Sequence, residues 1–523
     1  MMLLFESSDR INHYNRFISL AVGLGSFTYG YCSSVIASTI GQPGWYEYFH
    51  LPLEHQPGYA TTTTQAIATA NGLYSTGGAL GSLFIMWSAQ VYGRRTSMQL
   101  GAALALLGGA LQGGAAALPM FHLGRVLAGI GIGILVTVCP MYLAELSAAP
   151  VRGVFVGQHA ISLVLGYTFA GWIGYGCYFA TRISPSFAWR FPLLFQCLSP
   201  VLLLICSIWI PRSPRWLLSK GRSDDAWAVL QRLRSVPGSS DDSMASKEFH
   251  EIREQIRLEE ARLASSGHNS WLAAWTKKSY RKRMFLGFLT QWGAEFAGPL
   301  VINNYAVILY TGLGVSGSMP LLLSAVWLTT AAVIYNPFGS WLHDRTNSRR
   351  WMFLTGLFGC LGTTACLVAM SAIYGDTKNK VGNGFGIFFI FLYLAFQGTF
   401  CDTTMYLYVS EIFPMEIRPI GMGFSLFGQF AATIILLQTA PIGFVNVGWK
   451  YYFVIIAWCI FFIPSKSTFS SLTINVANKA CKKTASLTLE EIATVFGDEP
   501  EPSPMMEASD EGDVKHAEKV RVV

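Results

Sequence analysis

Apolar stretches of about 20 residues recur along the whole chain between short polar or basic turns, and that is the length at which a helix crosses a hydrocarbon core. They fall near 16–38, 65–91, 97–118, 121–143, 154–180, 190–210, 284–311, 319–342, 350–374, 384–409, 418–443 and 448–463. The pattern predicts an all-α membrane protein of about twelve transmembrane helices, six on each side of a long charged segment. The expected division is a short N-terminus (1–15), a six-helix bundle (16–210), a helical linker (211–283), a second six-helix bundle (284–463) and a tail (464–523).

Composition agrees. Hydrophobic residues make up 52% and charged residues 13%, with a mean hydropathy of +0.39, whereas soluble domains carry roughly a quarter charged residues. The residues before Phe17 are polar and do not form the apolar core of a cleaved signal, so the first span is expected to insert uncleaved. Arg10, Arg16, Arg94, Arg95, Arg152, the 211–283 segment, Arg349, Arg350 and Arg418 all fall at one end of the spans. The positive-inside rule makes that end cytoplasmic, together with both termini. The net charge of +7 is then orientation charge. No basic patch with interleaved aromatics points to nucleic acid; the expected surroundings are a lipid bilayer.

Within the linker, Lys247 to Ala264 spaces Glu248, Glu251, Arg253 and Arg257 as a solvated helix does. The tail beyond Glu499 is rich in Pro, Glu and Asp, a composition expected to stay disordered. Nine of ten cysteines lie in spans, with no Cys-x-x-Cys and no Cys/His zinc spacing, so they read as packing residues; no cofactor and no metal is expected. Gly129-x-Gly131-x-Gly133 lies inside a span, where it suits close helix packing rather than phosphate binding. No nucleophile–base pair or nucleotide loop is visible, which argues against an enzyme.

One phrase occurs twice. Tyr142-x-x-Glu145 with Arg152 recurs as Tyr408-x-x-Glu411 with Arg418, and each copy follows a basic turn: Tyr92-Gly93-Arg94-Arg95, then Asp344-Arg345 with Arg349-Arg350. Duplicated charge patterns at the edges of apolar spans suggest two homologous halves, as in many carriers.

Those residues resemble the sugar porter family of the major facilitator superfamily, in a fungal-type form. Leu127-x-Gly129-x-x-x-Gly133 leading to Tyr142, Glu145 and Arg152 is similar to its fourth-span signature. Pro211-Arg212-Ser213-Pro214-Arg215-Trp216-Leu217 is similar to the motif after its sixth span. Ser410-Glu411-Ile412-Phe413-Pro414 with Arg418 resembles the second-half counterpart, and Leu487-Thr488-Leu489-Glu490-Glu491-Ile492 its C-terminal helix. The resemblance runs from residue 16 to about 495. It implies a gating role for Arg94, Arg95, Glu145, Arg152, Arg215, Asp344, Arg345, Glu411 and Arg418, ion pairs that hold one state and release in the other. Gln90-Val91 replaces the family's Asp-Arg, so the first-half latch is expected to be the weaker copy.

The same comparison exposes departures. Tyr29-Gly30-Tyr31-Cys32 stands where proton-coupled members have Phe-Gly-Tyr-Asp, although Arg125, whose counterpart faces that Asp, is present. Ala294-Glu295-Phe296-Ala297-Gly298-Pro299-Leu300 replaces the seventh span's amides and brings in a carboxylate. The fifth-span glutamine falls at Ala160, behind Gln158 and His159. Cys401-Asp402-Thr403 stands where Trp-Gly-Pro is common, and Gln429 keeps the cavity amide. Asp402 precedes Glu411 by nine residues, which places it roughly 13 Å deeper at ~1.5 Å per residue, near mid-membrane. An ionisable side chain at that depth costs at least about 2.5 kcal/mol unless it faces water or a partner, which makes it a functional candidate.

The resemblance implies a secondary active transporter of a small polar solute, a monosaccharide or polyol by family, moved by alternating access at the plasma membrane. The candidate substrate-binding residues are Gln158, His159, Glu295, Tyr305, Asp402 and Gln429. Glu295, Asp402 and Arg125 are the candidates for coupling to protons in place of the missing carboxylate at Cys32. Desolvation favours a neutral acid, as a proton carrier requires. Carboxylates in that place also suit a cationic or amine-bearing solute, and a non-sugar metabolite or a non-transporting nutrient sensor remain the other readings. Residues 464–483 are polar where the family completes its twelfth span; an unspliced intron leaves such a pattern, and transcript sequencing tests it.

Overall fold

A computed structural model describes residues 13–463 apart from 54–55, 148–151, 183, 235–241, 267–269, 347–348, 376, 378 and 414–416. The expectations for the N-terminal residues, the tail and the 464–483 stretch lie outside the described residues. No strand occurs among the described residues.

The first half consists of long, mostly continuous rods: α1 (His13–Ile40), α2 (Thr64–Val91), α3 (Arg94–Gly113), α4 (Leu118–Leu146) and α5 (Arg152–Tyr178). A sixth, α6 (Pro185–Cys206), is interrupted near Gln196. Their ends follow local chemistry. Gly93, at φ +85°, reverses the chain between α2 and α3, and prolines at the first turns of α4 and α6 sit where no intrahelical N–H is needed.

Glycine decides how closely these rods pack. A Cβ on Gly129 or Gly133 of α4 would lie 2.2 Å from the Tyr74 and Gly78 carbonyl oxygens of α2, respectively. The backbones therefore touch, as small-residue seams allow in membranes, where lipid gives no hydrophobic push between helices. Gly108 and Gly131 bring α3 onto α4, and Gly30 and Gly166 bring α1 onto α5, in the same way.

The linker contributes α7 (Pro214–Ser219), α8 (Ser223–Arg234) and α9 (Ser243–Ser266), so the expected solvated helix is present and slightly longer. Trp216, Leu217, Leu230 and Ile252 form a small apolar core there. Arg234 donates to both Glu248 oxygens at 2.5 and 2.7 Å and to the Leu146 carbonyl at the end of α4. It thereby ties the linker to the first half.

The second half is broken where the first is continuous. α10 (Lys278–Phe296) and α11 (Pro299–Gly312) are separated at Gly298, φ +96°. α12 (Met319–Thr330) and α13 (Asn336–Thr346) are joined by a π-helical turn, Ala331–Tyr335. After α14 (Arg349–Tyr374), a second π-helical turn, Gln397–Asp402, separates α15 (Lys380–Phe396) from α16 (Thr403–Ile412). α17 (Arg418–Val447) and α18 (452–463) complete the bundle. Eight helical stretches of the described residues are long and apolar enough to span a membrane, the last of them running from Arg418 to Ile463. Of the remaining rods, α11 is too short at 14 residues, and α2, α3 and α10 fall outside the set.

Candidate functional site

The breaks at α10–α11 and α15–α16 carry polar residues, and those beside Gln429 reach across to Tyr29 of the other half. Gly298 lets the chain turn after Phe296, and Pro299 at the first position of α11 starts a new helix without a wasted N–H. Glu295, on the last turn of α10, thus lies beside the Leu300 N–H of the next helix. That N-terminus carries a partial positive charge, which a carboxylate offsets. A π-helical turn widens the backbone by one residue and re-aims its side chains, and such turns are frequent at functional sites. Here it carries Gln397 and Asp402, whose side chains meet at 3.4 Å.

Glu295 is buried, 2% exposed. Its Oε2 accepts from Gln429 Nε2 at 3.4 Å, while its Oε1 is enclosed without a hydrogen-bond partner. Gln429 Nε2 also reaches the Tyr29 hydroxyl of α1 at 3.4 Å and the Tyr406 hydroxyl of α16 at 3.1 Å. Tyr29 packs against Tyr167 of α5 with ring centroids 6.4 Å apart. His159 of α5 has its ring edge-on to Tyr406 at 6.2 Å; its Nδ1 pairs with Ser26 Oγ at 2.6 Å and its Nε2 is buried with no partner. Glu295 and Asp402 lie within electrostatic range of each other and of Tyr167 and Tyr406. Neither forms an ion pair among the described residues.

Of the six candidate binding residues, then, His159, Glu295, Asp402 and Gln429 come together with Tyr29, Tyr167 and Tyr406. Gln158 and Tyr305 do not. Gln158 bonds Ser19 of α1 instead. Tyr305 accepts from Asn71 Nδ2 at 3.0 Å and donates to the Leu437 carbonyl at 2.6 Å, so its hydroxyl bridges the halves rather than joining the cluster. Tyr167 was invisible among 22 tyrosines until the fold placed it.

Arg125 is also apart from the carboxylates. Its guanidinium donates to the Ala70 and Cys32 carbonyls and to Asn71 Oδ1 at 3.2–3.3 Å and stacks over Tyr74 at 3.9 Å. Backbone dipoles and a ring face replace the carboxylate that the family places at Cys32. Asn71 passes this contact on to Tyr305, and Ser34 exchanges hydrogen bonds with Asn303 nearby. The halves are therefore hydrogen-bonded to each other on the side away from the basic turns.

At the basic end, Glu145 accepts from Arg94 at 2.8–2.9 Å and from Ser213 at 2.5 Å, and Tyr142 bonds the Pro211 carbonyl. Trp216 Nε1 donates to the Gln90 carbonyl at 3.1 Å, so the backbone at the altered position holds the linker whatever the side chain. Arg95 reaches the Ile208 carbonyl and Arg215 reaches Gln255. Arg345 stacks on Trp341 and Arg418 contacts the Phe413 carbonyl. The side chains of Arg152, Asp344 and Glu411 lie outside the described residues. Among those described, no group of three or more His, Cys, Asp or Glu is placed to hold a metal.

A helical membrane bundle with a polar cluster held between two halves is the architecture of a major facilitator carrier. The chain matches the family described as sugar (and other) transporter over residues 18–496 and belongs to it. It is a transporter rather than an enzyme. It is 31% identical to the MFS-type transporter criB of Aspergillus cristatus, over 83% of this chain and 85% of that one. It is 26% identical to the quinate permease of Emericella nidulans, over 84% and 83% of the two chains. The fold is similar to the solved structure of the proton:xylose symporter XylE bound to 6-bromo-6-deoxy-D-glucose. That match has a TM-score of 0.72 and 20% identity, covering 92% of this chain and 99% of the other.

Proposed function

We propose that the protein is a proton-coupled carrier of a small polar organic solute, working by alternating access, with Glu295 as the coupling carboxyl and Asp402 as its electrostatic partner. The observation that carries this reading is the enclosed Glu295 carboxyl, one oxygen unpartnered and the other linked through Gln429 to Tyr29 of the opposite half. A proton on that carboxyl removes a buried charge and frees Gln429, so protonation and the contact between halves are linked. Arg125 takes a bracing role, because no acid faces it from position 32.

The plasma membrane, with both termini cytoplasmic, is the location we infer from the distribution of basic residues. A monosaccharide or polyol, the substrate class of the family, would find one cavity amide, Gln429, already committed to Tyr29, Tyr406 and Glu295. A quinate-like carboxylate, suggested by the relatives' names, would meet two acids and no lysine or arginine within the cluster. A non-sugar metabolite is favoured on both counts. Uptake of labelled sugars, polyols, acids and amines by transporter-deficient cells at two external pH values tests the reading. Glu295→Gln should abolish gradient-driven accumulation and spare exchange at saturating solute; accumulation equal to wild type contradicts it.

A further inference from the structure

The chemistry of the central cluster narrows the cargo further, an inference that rests on the transporter reading but not on Glu295 coupling to protons. Two acids, buried Glu295 and part-buried Asp402, lie within electrostatic range in one cluster, and no cation among the described residues pairs with either. The groups that face Glu295 are Tyr29 from α1, Tyr167 from α5, Tyr393 from α15, Asp402 from the π-helical turn, Tyr406 from α16 and Gln429 from α17. All are neutral or acidic, and the Leu300 N–H at the start of α11 adds only the partial positive charge of a helix N-terminus. Arg125 is spent on two carbonyls, an amide oxygen and Tyr74.

The cluster also leaves two polar atoms open, each on a side chain at most 3% exposed: Glu295 Oε1 and His159 Nε2. An enclosed polar atom without a partner costs on the order of 1–3 kcal/mol, which a ligand recovers by bonding to it. Around these atoms stand the rings of Tyr29, Tyr167 and Tyr406, with Phe296 packed on Trp292 at 5.9 Å and on Trp458 at 4.8 Å at the end of α10. Acids backed by aromatic faces are the surroundings that stabilise an organic cation, through Coulomb attraction and ring quadrupoles together. An anion meets like charge there, and a polyol finds few uncommitted donors.

We propose that the site binds an organic cation, a protonated or quaternary amine on a planar or apolar body, with Glu295 as its counter-ion and the tyrosines as its cage. Protons and the cation then compete for the same carboxyls, which makes exchange of one for the other the natural cycle of this site.

The test uses purified full-length protein and binding read by quenching of tryptophan fluorescence. The probes are phenethyltrimethylammonium, its uncharged carbon isostere and D-xylose. The expected result is tenfold or tighter binding of the cation than of the isostere, weakening severalfold from pH 8 to pH 6. Glu295→Gln and Asp402→Asn should each weaken the cation at least tenfold while leaving the melting temperature and isostere binding unchanged. Equal binding of cation and isostere, tighter binding of D-xylose, or cation binding indifferent to both substitutions overturns the proposal. The outcome is separable from the coupling reading, because Glu295→Gln that loses cation binding yet keeps gradient-driven accumulation of another solute refutes only the coupling.

Discussion

The two halves of this carrier share a charge pattern and differ in almost everything that bears on movement. In the first half α1–α5 run unbroken and the seams α2–α4, α3–α4 and α1–α5 are closed by glycines that meet backbone, among them Gly77, Gly81, Gly108, Gly129, Gly131, Gly133, Gly30 and Gly166. In the second half three of the rods carry a turn or a π-helical widening near mid-length, and the glycines mostly meet side chains. Gly293 faces Phe462, Gly359 faces Phe396, Gly421 faces Phe413 and Gly428 faces Phe288, with Gly339 against the Thr399 carbonyl as an exception. A side chain can change rotamer to make room, whereas a carbonyl fixed in a helix cannot. The first half is built to be held as one body, and the second has joints at the place where its acids sit.

Substitutions can break or sharpen that contrast. The largest effect is expected at Gly133, where valine meets the Gly78 backbone. Overpacking a site with no adjustable neighbour costs about 3 kcal/mol or more, and the variant should fail to give a monodisperse peak in detergent. Gly293→Ala, opposite the Phe462 ring, should cost about 1 kcal/mol on the same scale and stay monodisperse. If both behave alike, the distinction between backbone and side-chain packing fails.

The polar seam between the halves comes next. Asn71→Ala strips Arg125 of its side-chain acceptor and Tyr305 of its donor, and losing a hydrogen bond to a buried charged group costs roughly 1.5–3 kcal/mol. A melting temperature several degrees lower, with a smaller drop for Tyr305→Phe, is the expected pattern; no drop for Asn71→Ala removes Arg125 from its bracing role. The smallest effects belong to the basic end. Arg94 and Glu145 are each only about a tenth exposed (12% and 11%), so Arg94→Ala should cost about 1 kcal/mol, at the upper end for surface pairs. Arg345→Ala, whose contact among the described residues is an exposed stacking on Trp341, should be neutral within 0.5 kcal/mol or so. A larger loss at Arg345 would show that the second latch does more than its described contacts suggest.

The helices and the doubled charge phrase were legible in the sequence because both depend on local composition: length of apolar run, glycine spacing, motif order. Glu295 and Asp402 were also legible, as ionisable residues at depths where hydrocarbon excludes them, and His159 and Gln429 through the cavity positions that the family resemblance implies. What set Gln158 apart from His159 beside it was azimuth, whereas Tyr305 lies farther toward the end away from the basic turns, with Asn71 and Leu437. One residue along a helix turns a side chain by roughly 100°, and only packing against α1 decides which way it faces. The joints were half legible. Gly298-Pro299 is a break signal that any reading of turns recognises, but the π-helical turn at Gln397–Asp402 has no comparable signature. It arises from how α15 and α16 fit α13 and α14. Tyr167 and Asn71 became candidates only through their partners.

The central claim is that proton coupling has moved from position 32 in the rigid half to Glu295 at a joint of the other half. The most direct measurement is pH-gradient-driven accumulation in proteoliposomes, alongside equilibrium exchange, for a solute that the wild type takes up, comparing Glu295→Gln with Cys32→Ser. The account predicts that Glu295→Gln loses accumulation and keeps exchange at saturating solute, while Cys32→Ser keeps both. Accumulation that survives Glu295→Gln, or that is lost with Cys32→Ser, would contradict it.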